Sequence, residues 1–124
     1  MKRFAPIVAL IAATATLTAA VAAGAVSRVS ITVAPTTVKR GHAVVVHGSA
    51  GGCPRGDNVT LLSHAFVHTH DFAGVPAVYA RVQRGGAYAV TTRIPASKAP
   101  GRYAVTGRCG GGNLGFLKHL TVRR

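Results

Sequence analysis

The chain has 124 residues, with fifteen Lys and Arg against two acids and a formal net charge of +13 at pH 7. The acids are Asp57 and Asp71, and Glu is absent, which argues against most glycosidase chemistry, since that needs two carboxylates facing one bond. Trp is also absent, and the dominance of Val, Thr, Ala and Gly favours strands and turns over helices.

Met1-Lys2-Arg3 opens the chain with positive charge, and Phe4 to Val26 carries none. Ala23-Gly24-Ala25 offers the small-x-small pattern that signal peptidase reads, so residues 1–25 are expected to be a secretory signal peptide and 26–124 the mature domain. The apolar stretch is long enough to span a bilayer. It is rich in Ala and Thr, however, and lacks a cationic stop-transfer flank. No Cys stands at the cleavage point to take a lipid, and Arg3 follows Lys2 rather than a second Arg, against twin-arginine export. No second apolar span follows, so the expected location is extracellular or cell wall-associated, with no transmembrane segment after cleavage.

Strand signals then recur every 10 to 15 residues, separated by Gly, Pro, Asn or Asp. Val29 to Val33 alternates apolar and polar residues, and Ala34-Pro35 ends it. Lys39-Arg40-Gly41-His42 reads as a turn. Ala43 to Gly48 is β-branched and reads as a central strand. Gly51 to Asp57 is a turn-rich loop, and Asn58 to Ser63 the next strand. His64 to Pro76 is irregular. Pro76 to Val82 resumes strand character, Arg84-Gly85-Gly86 predicts a hairpin turn, and Gly86 to Ile94 follows. Tyr103 to Cys109, the reversal Gly110-Gly111-Gly112-Asn113 and a final strand from Leu114 to Val122 close the domain. Many short strands with Gly and Pro turns predict an all-β sandwich or barrel of about seven strands.

Within Tyr103–Cys109, strand alternation puts Tyr103, Val105, Gly107 and Cys109 on one face and Arg102, Ala104, Thr106 and Arg108 on the other. Cys109 thus points inward. An exported chain meets an oxidising compartment, so Cys53 and Cys109, its two cysteines, are expected to form a disulfide. Closing a loop of that length stabilises the fold by about 4 kcal/mol in the chain-entropy model.

The histidine-rich run Ser63-His64-Ala65-Phe66-Val67-His68-Thr69-His70-Asp71 is the one cluster that suggests chemistry. In an extended chain His64, His68 and His70 project to one side, where neutral imidazoles chelate Zn²⁺ or Cu²⁺. Solvent-exposed loop histidines need no such role. Their protonation below about pH 6.5 would raise an already high charge. Catalysis is not expected. Ser63, His64 and Asp71 are sequence neighbours with no nucleophile-elbow pattern around the serine. Gly110-Gly111-Gly112 is no phosphate loop, because neither a helix nor a lysine follows it closely.

Leaving out Lys2 and Arg3, the remaining Lys and Arg outweigh Asp57 and Asp71 by a formal +11. A surface of one sign attracts polyanions without choosing among them. For an exported protein these are anionic lipid headgroups, acidic wall polymers or acidic glycans, with nucleic acid only incidental. Arg81, Arg84, Arg102 and Arg108 are the candidate contacts.

Val33-Ala34-Pro35 with Val38-Lys39-Arg40-Gly41, Val44, Val46, Gly48-Ser49, Gly52-Cys53-Pro54, Gly101, Tyr103, Val105, Arg108-Cys109-Gly110-Gly111 and Leu120-Thr121-Val122 together resemble secreted immunoglobulin-like domains of actinobacteria. The resemblance spans most of the mature chain. It implies a single Ig-like sandwich stapled by Cys53 and Cys109, and it supplies no catalytic residues. Cys53 lies in a loop after the second strand, and no Trp packs on the bridge, so antibody-like recognition is not implied. The expected function is a secreted, non-catalytic binding or structural module of the cell envelope, needing no cofactor. Its partner would be an anionic envelope polymer or another envelope protein. The alternative is an exported Zn- or Cu-binding protein using His64, His68 and His70.

Overall fold

Alternating burial, the signature of half-covered strands, runs through the computed structural model, which describes residues 28–124; the expected signal peptide, 1–25, lies outside them. The strands are β1 (Ser30–Ala34), β2 (Thr37–Lys39), β3 (Ala43–Ser49), β4 (Asn58–Leu62), β5 (His70–Phe72), β6 (Val75–Arg81), β7 (Ala87–Arg93), β8 (Gly101–Cys109) and β9 (Gly112–Arg123). They form a three-stranded sheet in the order β1-β3-β7 and a six-stranded sheet in the order β2-β9-β8-β4-β6-β5. All pairs are antiparallel except β2–β9.

The seven expected strands are the seven longer ones. The two additional strands, β2 and β5, have three residues each, too few for alternation to stand out from a loop. The expected hairpin at Arg84-Gly85-Gly86 is corrected. β6 belongs to the six-stranded sheet and β7 to the three-stranded one, so this segment, a 3-10 turn, carries the chain between sheets. The Ala50 amide donates to the Gly86 carbonyl at 2.8 Å. That bond ties the turn to the end of β3, so β7 is laid beside β3 and not folded back on β6.

Buried residues of both sheets form one cluster. Ile31, Val33, Val44, Val46 and Tyr88 come from the three-stranded sheet, and Val38, Val59, Leu61, Val105, Leu120 and Val122 from the six-stranded one. Phe66 and Ile94 enter from connecting segments. The bridge between Cys53 and Cys109 is formed, with Cα atoms 5.9 Å apart and a sequence separation of 56. It fastens the β3–β4 crossing loop to the end of β8. As expected from alternation, Val105 and Gly107 are buried on the inner side of β8 while Arg102 and Ala104 are exposed. A Cβ at Gly107 would collide with the Phe116 ring, which explains glycine there. Tyr103, at the start of β8, donates its hydroxyl to the Ala99 carbonyl at 2.5 Å, four residues upstream in the manner of a tyrosine corner.

Candidate anion-binding face

The outward positions of the two sheets differ sharply in charge. On the three-stranded sheet they are mainly Ser, Thr, Ala and Val, with His47 and, at one corner, Arg93. Arg93 is engaged, donating from Nη1 to the Gly41 carbonyl at 3.0 Å. On the six-stranded sheet they include Lys39, Arg81, Arg102, Arg108 and Arg123.

Strand register orders these cations. Lys39 of β2 lies opposite Arg123 of β9. Arg102 of β8 is paired with Thr121, two residues before Arg123 along β9. At the other end of β8, Arg108 lies opposite Thr60 of β4, while Asn58 of β4 lies opposite Arg81 of β6. The cations therefore run obliquely across the sheet from the β2 edge towards β6. Arg108 lies six positions after Arg102 along β8, a span of about 20 Å.

Among the described residues the one carboxylate ion pair is His68 Nε2 with Asp71 Oδ1 at 3.2 Å, both exposed. No Lys or Arg there is paired with an acid. Lys39 and Arg123, both exposed, place like charges in register on β2 and β9. Arg108 makes several contacts of its own. Its Nη2 donates to the Gly111 carbonyl at 2.5 Å, its guanidinium carbon lies 4.8 Å from the Phe72 ring centre, and its buried Nε has no hydrogen-bond partner. Aromatic surface accompanies it, since His70 stacks on Tyr79 with ring centres 4.4 Å apart and both are exposed.

Of the four arginines singled out in the sequence, Arg81, Arg102 and Arg108 share this face. Arg84 sits apart in the crossover turn. Lys39 and Arg123 were missed because only the pairing of β2 with β9 brings them together, and alternation does not reveal β2.

The histidines separate. His64 lies in the turn after β4, His70 begins β5 and stacks on Tyr79, and His68 contacts Asp71. The run is not a continuous strand, which removes the geometry that would aim all three to one side. Among the described residues, one group of three His, Cys, Asp or Glu side chains has its ligating atoms within 4.8 Å of one another. It is Cys53, Asp57 and Cys109, and its two sulfurs are bonded to each other. Ser63 is 2% exposed, and its hydroxyl oxygen accepts from the Ala65 amide at 3.1 Å. The imidazole beside Asp71 belongs to His68 and not to His64.

No family model matches the chain, and no curated protein matches it in sequence. Among solved structures it is similar to the Pseudomonas fluorescens alkylpurine DNA glycosylase AlkC bound to DNA containing an abasic site analog, with a TM-score of 0.52 and 16% identity. The match covers 77% of this chain and 29% of that one, so the likeness is one of fold over a minor part of the glycosylase.

Proposed function

We propose that this chain is a secreted, non-catalytic immunoglobulin-like sandwich of the cell exterior that holds anionic envelope polymers on the outer face of its six-stranded sheet. The observation that carries this reading is the oblique track of Lys39, Arg123, Arg102, Arg108 and Arg81, none of them paired with a carboxylate. Guanidinium groups suit phosphate and carboxylate oxygens because their paired N–H donors match those anions in spacing. The disulfide supports an oxidising compartment. The buried Ser63 and the scarcity of acids support a role without catalysis.

The test is a salt series. Binding of the disulfide-bonded protein to poly(glycerol phosphate) is measured by calorimetry, beside a DNA oligonucleotide matched in charge. Binding that weakens as salt rises, with DNA no tighter than the wall-type polymer, supports the proposal. Tighter, base-dependent DNA binding would move the assignment to nucleic acid. The metal-binding alternative, through His64, His68 and His70, has no gathered ligand set behind it.

A further inference from the structure

β4 ends at Leu62, opposite Thr106 of β8. Beyond it the chain turns away from the sheet through Ser63 and His64, and the Val67 amide donates to the Arg93 carbonyl of the other sheet at 3.0 Å. β8 continues without it. Residues Gly101–Val105 have β9 on one side and, among the described residues, no strand on the other. Main-chain donors and acceptors aimed at that side are left without a ladder partner.

The place the strand would have filled is an open groove of about 430 Å³, lined by Leu62, Ser63, His64, Val75 and Thr106 along with residues of β8. Its size falls in the range of ligand sites. Its walls are mainly apolar. Arg102 stands on its rim, exposed, with no acidic partner among the described residues.

The geometry points to a peptide-binding site in which an extended segment, ending in or carrying a carboxylate, pairs with β8 at Gly101–Val105 in place of the missing strand. Three features converge on that class of ligand. The free strand edge offers main-chain hydrogen bonds in the spacing of a β-ladder. The apolar hollow takes every second side chain of an extended peptide. Arg102 supplies a two-pronged donor to a carboxylate. A sugar polymer would use the cation and leave the strand edge unsatisfied. The site shares Arg102 with the wider cationic face, but its main-chain pairing and its apolar hollow at the β8 edge are not used by the polymer-binding proposal, so peptide binding can fail while polymer binding stands, and the reverse.

The test uses ¹⁵N-labelled, disulfide-bonded protein titrated with N-acetylated pentapeptides of alternating valine and threonine that end in leucine. One set has a free C-terminal carboxylate and the other an amide. Saturable shifts confined to the amides of Arg102–Val105 and the Ser63–His64 turn support the site, with the free acid about tenfold tighter. Arg102→Gln should abolish that preference, with the amide form still shifting the same main-chain amides. Absence of shifts at millimolar peptide overturns the assignment, as do shifts in this groove with glucuronate oligomers but with neither peptide.

Discussion

The Tyr88 hydroxyl donates to the Ser30 carbonyl across 2.8 Å, although the two residues lie on strands separated by β3. Gly48 makes this reach possible. It is opposite both Tyr88 and Ile31 in register, and a side chain there would collide with the Ser30 carbonyl and crowd the Tyr88 hydroxyl. The aromatic ring thus covers a bare stretch of the central strand and pins the β1 edge. Gly48→Ala should destabilise the fold by about 1–3 kcal/mol, because backbone is struck and gives little. Tyr88→Phe keeps the ring and should cost about 1 kcal/mol. Urea unfolding of both variants checks the order.

The same tyrosine gives the fold an alkaline limit. Burial pushes its hydroxyl above the ordinary phenol range. Its contribution is complete below about pH 10, where the unfolded chain also keeps the proton. As pH rises further the unfolded chain releases that proton while the folded chain holds it, so stability falls, by up to about 1.4 kcal/mol per pH unit. Unfolding midpoints measured from pH 8 to 11 should decline in the native protein, and Tyr88→Phe should flatten that decline.

Breaking the Cys53–Cys109 bridge frees a long loop. The Cys53→Ala, Cys109→Ala double variant should lose about 4 kcal/mol, read as a lower denaturant midpoint. Adding reductant should bring the native protein to a similar midpoint and leave the variant unmoved.

β5 and β6 are joined by a two-residue loop, Ala73–Gly74, with φ of 51° and 84°. Both lie in the left-handed region, where alanine is strained and Asn-Gly is the favoured sequence. Ala73→Asn should therefore raise stability by about 0.5–1 kcal/mol, and thermal unfolding checks it.

Local pattern carried the sequence a long way here. The apolar–polar alternation of Ser30–Ala34 and Gly101–Cys109 announced both strand and facing, and the cysteine pair announced its own bridge. Partner choice was not legible. Arg84-Gly85-Gly86 has the composition of a hairpin turn, but which sheet receives β7 depends on the Ala50–Gly86 bond, made to a distant residue. The same limit hid the oblique track of cations, since Lys39 and Arg123 meet through a parallel pairing of chain segments far apart in sequence. The path of the histidine run was hidden for a related reason. Regular spacing projects side chains together only if the backbone is extended throughout, and burial of Ala65 and Phe66 in the core takes the chain out of that path.

The cationic face is tested most directly by its affinity for poly(glycerol phosphate). The measurement compares native protein with the triple variant Arg81→Gln, Arg102→Gln, Arg108→Gln across a salt series. The variant should bind about tenfold or more weakly at low salt, in keeping with three surface ion pairs, and its affinity should depend less steeply on salt. Equal affinity and an equal salt slope in the two proteins would contradict the assignment of this face.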